Sequence, residues 1–166
     1  MRRVICLLVA LVSGCAQTSE RVSLRADDTS ISSIVLFSPE RFSGDWQVLE
    51  SATQGCHGAP QHWRWDGTSR FTLSGVDCTG IKPTHLGGVA ALTGPGARMM
   101  PDTGFGREPI WVLWVDQDYR IAVLGTPSGQ FGQIIGRKGI EDRPDLRKAA
   151  REILEFNGYF PAAIGH

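Results

Sequence analysis

Residues 42–50 read Phe42-Ser43-Gly44-Asp45-Trp46-Gln47-Val48-Leu49-Glu50, a turn that leads directly into a β-strand. Gly44 separates two large aromatic side chains, and a glycine there lets the backbone turn sharply or pass close to an indole ring. An ordinary strand with a buried aromatic residue shows the same short pattern. The interpretation of this stretch therefore depends on the rest of the chain.

Composition favours one domain built from many short strands. The chain has 166 residues, among them 20 glycines, nine prolines and five tryptophans, and helical periodicity occurs only near the C-terminus. The 17 basic residues balance the 17 acidic ones. If Arg2 and Arg3 are removed with a signal segment, 15 basic residues remain against 17 acidic ones, a net charge of −2. This balance gives no electrostatic argument for nucleic acid as a partner.

Alternation of β-forming residues and turns predicts eight strands. Asp66-Gly67, Asp116-Gln117 and residues 126–129 are the clearest turns between them. The expected strands lie near Trp46–Ser51, Gln61–Trp65, Phe71–Ser74, Gly88–Leu92, Arg98–Met100, Ile110–Val115, Tyr119–Leu124 and Gln130–Ile135. Eight antiparallel strands can close into an up-and-down barrel or form a two-sheet sandwich, and periodicity does not distinguish the two.

Several residues together resemble the lipocalin family, in its bacterial outer-membrane lipoprotein branch. They are Phe42, Gly44 and Trp46 at the first strand, Asp118 and Tyr119 at the turn between the sixth and seventh strands, and Arg137 after the last strand. The resemblance implies an all-β fold, an eight-stranded antiparallel up-and-down barrel. It also implies that the guanidinium of Arg137 stacks on Trp46 at the closed end. These residues are structural in the family. The chain departs from the pattern at Ser38, where many members have asparagine, and in its short, glycine-rich middle strands.

A C-terminal helix is expected over residues 142–157. Leu146, Ala149, Ala150, Ile153 and Leu154 recur at helical spacing, and Pro144 and Gly158 mark the two ends. The narrow apolar stripe favours packing on the outside of the barrel over lying on a membrane.

The N-terminus has the pattern of an export signal. Two arginines precede a nine-residue apolar run, residues 4–12, which is shorter than the roughly 20 residues needed to cross a bilayer. Small residues then precede Cys15, as in the lipobox of bacterial lipoproteins. We therefore expect a signal peptide over residues 1–14, a lipidated Cys15 and tether over residues 15–37, and the barrel domain over residues 38–166. Ala16 favours the outer membrane, on its periplasmic side.

Two cysteines remain once Cys6 is removed and Cys15 is lipidated. Cys56 and Cys78 would lie in an oxidising compartment, which predicts a disulfide. The alternative is a metal site in which these cysteines join His57 and His85, although the spacing matches no compact zinc pattern. No cofactor is expected.

No residue pattern indicates catalysis, so a binding function is favoured over an enzyme. The histidines are scattered, and the Ser-Gly pairs lack the elbow pattern of serine hydrolases. Pockets for apolar ligands are lined by aromatic side chains. The residues expected to line the cavity or hold a head group are Trp63, Trp65, Trp111, Leu113, Glu50 and Gln133.

The expected ligand is a fatty acid such as palmitate, a lysophospholipid or a similar amphiphile, bound by a monomer or weak dimer. The alternative is a structural or assembly lipoprotein whose barrel is filled by its own side chains and whose loops bind a protein partner. A barrel enzyme that acts on a hydrophobic substrate would need a polar catalytic set inside the cavity.

Overall fold

The computed structural model describes residues 22–165, and its centre is a closed barrel of eight antiparallel strands. Each strand pairs with the next along the chain, and β1 also pairs with β8, so that no strand edge is left free. The predicted eight-stranded barrel is therefore confirmed, and the sandwich is excluded. The strands are β1 (Gly44–Ser51), β2 (Pro60–Trp65), β3 (Arg70–Asp77), β4 (Thr84–Leu92), β5 (Arg98–Pro101), β6 (Ile110–Val115), β7 (Ile121–Gly125) and β8 (Gly132–Gly136).

One end of the barrel is closed by the short helix α1 (Pro39–Phe42) and by Arg137. The guanidinium carbon of Arg137 lies 3.8 Å from the centroid of the Trp46 ring, and its nitrogens donate to the backbone oxygens of Phe42 and Ser43, each at 3.0 Å. Gly44 has a φ of +129°, and a β-carbon there would lie 2.6 Å from the guanidinium. The stacking that the resemblance implied is present, and it explains why residue 44 is a glycine.

Two apolar clusters lie on opposite faces of the sheet. The interior cluster fills the barrel and includes Trp46, Val48, Trp63, Phe71, Leu73, Leu86, Met99, Phe105, Val112 and Phe131. The outer cluster lies between the sheet and the helix α2 (Pro144–Phe156), and includes Leu49, Leu113, Ile121, Ile134, Ala150 and Leu154. The C-terminal helix therefore packs on the outside of the barrel, as predicted, against β6 and β7.

Residues 22–37 run along the barrel and are held by its backbone. The N–H of Leu24 donates to the oxygen of Gly129 at 2.8 Å, and that of Ile34 donates to Val112 at 3.0 Å. Arg25 is buried, and its guanidinium donates to the backbone oxygens of Asn157 and Pro127. The prediction that the tether extends to residue 37 is therefore wrong from residue 22 onward. The polar sequence of residues 22–33 gave little sign of this packing, because several of the contacts are backbone hydrogen bonds and only Leu24 and Ile31 of this stretch contact the outer cluster.

The other N-terminal predictions, namely the signal peptide over residues 1–14, the lipidation of Cys15 and a tether over residues 15–21, lie outside the described residues.

A disulfide joins Cys56 in the β1–β2 loop to Cys78 in the β3–β4 loop. Both loops lie at the end of the barrel opposite Arg137, which we call the mouth. The disulfide is as predicted, and it removes both thiolates from the alternative metal site with His57 and His85.

Candidate ligand-binding interior

The interior of the barrel is apolar and is occupied by the protein's own side chains. Trp63, Phe71 and Leu86 have no exposed surface, and Leu73 is 2% exposed. Phe42 closes the floor, with its ring centroid 5.5 Å from that of Trp63 and 5.8 Å from that of Phe71. The floor and the lower half of the interior therefore form one cluster of aromatic rings that meet edge to face.

Trp63, which was predicted to border a cavity, lies at the centre of this aromatic cluster. Its indole Nε1 is buried and has no hydrogen-bond partner within residues 22–165. Trp65 lies one pleat nearer the floor, with its ring centroid 4.9 Å from that of Phe71, and is partly buried. The structure thus places both tryptophans of β2 against the interior cluster.

Gln133 also lies inside, where it pairs with Gln61 across β1. Its Nε2 donates to the Oε1 of Gln61 at 3.0 Å, and the Nε2 of Gln61 donates to the backbone oxygen of Val76 at 3.1 Å. Both glutamines are fully buried. An uncharged polar pair therefore interrupts the apolar wall at the level of the upper strands, and it can donate to or accept from a bound molecule.

Trp111 and Leu113 do not line the interior, so the prediction for these two residues is wrong. Both belong to the outer cluster, whereas Val112 between them points inward. The guanidinium of Arg98 covers the Trp111 ring at 4.1 Å. Alternate residues of β6 lie on two opposite faces of the strand, and both faces are apolar because helix α2 covers the outer one. The sequence of β6 therefore could not identify the inner face.

Glu50 likewise lies outside the barrel, under α2. A register shift in β1 between Val48 and Glu50 turns its side chain outward, and its Oε2 accepts from the Nε of Arg151 at 2.8 Å. Arg147 lies 3.4 Å from the other carboxylate oxygen. Glu50 therefore holds the helix and cannot contact a head group in the interior.

Two residues that the sequence analysis did not single out, Phe105 and Asp77, shape the mouth. Phe105 belongs to the β5–β6 loop and inserts its ring between Trp63 and Phe131, with centroid distances of 5.5 and 5.4 Å. Asp77 accepts the backbone N–H of Phe105 at 3.0 Å. The sequence provides little indication that this ring enters the barrel, because Phe105 is a single phenylalanine between Gly104 and Gly106.

Two pockets of about 220 Å³ each open at the mouth. One lies beside Phe105, Phe131 and Glu108, and the other lies between Val22, Ile81 and Phe131. Phe131 therefore separates two small recesses above the filled interior.

Within the described residues, no group of three or more His, Cys, Asp or Glu side chains is placed to hold a metal ion. Nor does any helix there have the length and apolar character needed to cross a bilayer.

Burial raises the pKa of Tyr159, whose hydroxyl group lies under the β7–β8 turn, to about 12. Desolvation lowers the pKa of the Arg137 guanidinium, and the negative charge of Asp45 partly offsets this effect. Both groups hold the barrel together at its ends and lie outside the interior.

Comparison with solved structures identifies the fold. The chain resembles apocrustacyanin C1 with a TM-score of 0.54 at 10% sequence identity, over 82% of this chain and 87% of the other. It resembles lipocalin 12 from rat epididymis with a TM-score of 0.52 at 16% identity, over 86% of this chain and 93% of the other. Neither a scan against protein-family profiles nor a search of characterised proteins finds a match. The structure is a closed eight-stranded barrel with a C-terminal helix, the fold of the lipocalins it resembles.

Proposed function

We propose that the protein is a binding protein of the lipocalin type, which holds a small hydrophobic or amphiphilic molecule inside the barrel. The observation that carries this proposal is the closed barrel whose inward-facing side chains are mostly apolar. Transfer of apolar surface from water into such an interior is favourable by roughly 25 cal/mol per Å². Fatty acids such as palmitate and lysophospholipids are the candidate ligands, for storage, transport or scavenging.

We further propose that Cys15 carries the lipid anchor and holds the domain at the periplasmic face of the outer membrane. The small residues before Cys15 support this, and a disulfide between Cys56 and Cys78 suits an oxidising compartment. Substitution Cys15→Ala should move the protein from the membrane fraction to the soluble fraction, with Cys6→Ala as the control that leaves it membrane-bound. Retention of both variants in the membrane fraction would remove the anchor from the proposal.

Native mass spectrometry of the purified domain tests binding itself. The expected result is a co-purifying lipid mass that is lost on organic extraction, followed by saturable binding of cis-parinaric acid by the extracted protein. A domain that carries no lipid and leaves cis-parinaric fluorescence unchanged would contradict the proposal.

The filled interior favours a second candidate, a structural lipoprotein that binds a protein partner. Trp63, Phe71 and Leu86 already bury their whole surface in the barrel. This candidate predicts the contrary outcome of the same experiment, an empty and unresponsive barrel, together with stable co-purification of an envelope protein after crosslinking.

A further inference from the structure

Residues 104–107 carry an aromatic ring into the barrel on an unusual backbone. Four successive residues have positive φ, and two of them, Phe105 at 47° and Arg107 at 59°, are not glycine. A β-carbon makes this left-handed region unfavourable, so such residues persist only where their surroundings hold them there. The conformation therefore requires contacts that offset its cost.

Few contacts hold the tip of this loop. The ring of Phe105 is 1% exposed and packs on Trp63 and Phe131, and its N–H donates to the carboxylate of Asp77 at 3.0 Å. The base of the loop is fixed separately, since Asp102 accepts the N–H of Val89 at 2.7 Å. The Phe105 ring and its hydrogen bond to Asp77 thus keep the tip inside, while the base stays attached to β4 and Glu108 accepts from the Ser128 hydroxyl at the β7–β8 turn.

The side chains beneath the ring include an unused hydrogen-bond donor. The Nε1 of Trp63 is buried with no partner in the described part of the chain. Burial of an unpaired N–H is unfavourable, and a bound acceptor would relieve it. Of the described Lys and Arg side chains, only Arg25 is buried, and it bonds to the backbone outside the barrel. A buried carboxylate would therefore find no positive partner in the interior.

Space for a ligand already begins beside the ring. A pocket of about 220 Å³ lies between Phe105, Phe131 and Glu108. If the Phe105 ring left, its volume would join this pocket and extend it down to Trp63. We expect the combined space to admit a flat molecule of one or two fused rings.

We propose that Phe105 occupies the place of the ligand. An uncharged molecule with a flat apolar part displaces its ring, accepts the N–H of Trp63 through a carbonyl or ether oxygen, and releases the loop that Asp77 latches. This inference rests on the proposed function and narrows its ligand class. A ketone, aldehyde or ester can bind with its polar atom buried, whereas a fatty acid has to leave its carboxylate at the mouth.

The latch is tested by Asp77→Asn, with Asp66→Asn as the matched control. Asp66 caps the β2–β3 turn at the closed end through the N–H groups of Thr68, Ser69 and Arg70. The probe is 2-acetylnaphthalene, followed by quenching of tryptophan fluorescence. Asp77→Asn should bind the probe about fivefold more tightly than the unmodified protein, because an uncharged amide oxygen holds the N–H of Phe105 more weakly than a carboxylate and the competent state becomes more populated; Asp66→Asn should bind it equally.

Phe105→Ala removes the competing ring and should tighten binding of the same probe by about tenfold. If Phe105→Ala does not fold, Asp77→Asn still tests whether the loop competes with the ligand. Unchanged affinity in Asp77→Asn, or in a folded Phe105→Ala, would overturn the proposal that the loop competes with the ligand.

The buried Nε1 donor of Trp63 is tested by Trp63→Phe with two probes. The probes have nearly the same shape, and only one of them carries a carbonyl oxygen. The affinity for 2-acetylnaphthalene should fall about fivefold, the effect of one lost hydrogen bond, while that for 2-ethylnaphthalene should stay the same. An equal loss for both probes would overturn the role of the N–H.

If the unmodified protein binds cis-parinaric acid and neither naphthalene, the ligand class is overturned and the binding function stands. If it binds none of the three, the binding function itself fails.

Discussion

Arg137 is the residue on which the closed end most depends. It stacks on Trp46, and it donates to the backbone oxygens of Asp45 at 2.8 Å and of Arg41 at 3.0 Å. A planar fork of donors can make these contacts together, whereas the single ammonium group of lysine cannot. The guanidinium is thus used for its shape as well as for its charge.

Arg137→Lys should lower the free energy of unfolding by about 2–3 kcal/mol, because the stack and most of the hydrogen bonds are lost while the charge is kept. Urea denaturation followed by tryptophan fluorescence measures this. The control is Arg64→Lys, since Arg64 is more than half exposed and pairs at the surface with Asp45. Equal midpoints for the two variants would show that charge alone matters at residue 137.

At the scale of elements, helix α2 is joined to β1 by a buried carboxylate. Glu50 is 2% exposed and accepts from Arg151. Arg151→Ala leaves this charge with the more distant Arg147, and removal of one partner of a buried pair costs up to 3–5 kcal/mol. Because Arg147 remains, we expect a loss of about 2 kcal/mol in thermal or urea unfolding. Lys148→Ala, which breaks an exposed pair with Glu152 on the same helix, should change stability by less than about 0.5 kcal/mol.

The segment after α2 is docked through Tyr159. Its hydroxyl accepts the N–H of Thr126 at 2.8 Å and donates to the backbone at the β7–β8 turn, and burial raises its pKa to about 12 from 10. Because the folded-state pKa is the higher one, this stabilisation is complete below pH 10 and is lost as the pH rises toward 12.

Tyr159→Phe should lower stability at pH 7 by about 1 kcal/mol, because the N–H of Thr126 loses its nearer acceptor and keeps only the oxygen of Phe131 at 3.2 Å. It should also flatten the decline of the melting temperature between pH 10 and 12, the window set by the two pKa values. If the melting temperature of Tyr159→Phe fell as steeply between pH 10 and 12 as that of the unmodified protein, another group would be responsible for the loss of stability at high pH.

The sequence predicted the elements that have a regular period, together with the Arg137–Trp46 stack and the disulfide, and it missed the orientation of side chains that tertiary contacts decide. Strand β6 was placed at its observed bounds, yet its inner face was misassigned because Trp111 lies on an outer face that is equally apolar. Strand β4 begins at Thr84, before the expected Gly88, since a glycine with φ of +130° is accommodated within the strand. The inward turn of Phe105 depends on Trp63 and Asp77, which are distant in sequence.

At the scale of the whole molecule, the closed sheet is reinforced at the mouth by the disulfide. Cys56 and Cys78 are 22 residues apart, and a link of that length restricts the unfolded chain by about 3 kcal/mol in the entropic description. The double substitution Cys56→Ser and Cys78→Ser should therefore lower stability by about that amount while the barrel still closes. Calorimetry with and without reductant checks this, since reductant should destabilise the unmodified protein and leave the double variant unaffected.

Both ends of the described chain come to the mouth. The pocket there is bordered by Val22, and Gly165 bridges to Ser51 at the last position of β1. A group attached directly at Val22 or at Gly165 is consequently tethered beside the entrance. Short fusions at these two positions would obstruct the entrance and lower the apparent ligand affinity. Binding titrations therefore require long spacers or removal of the tag.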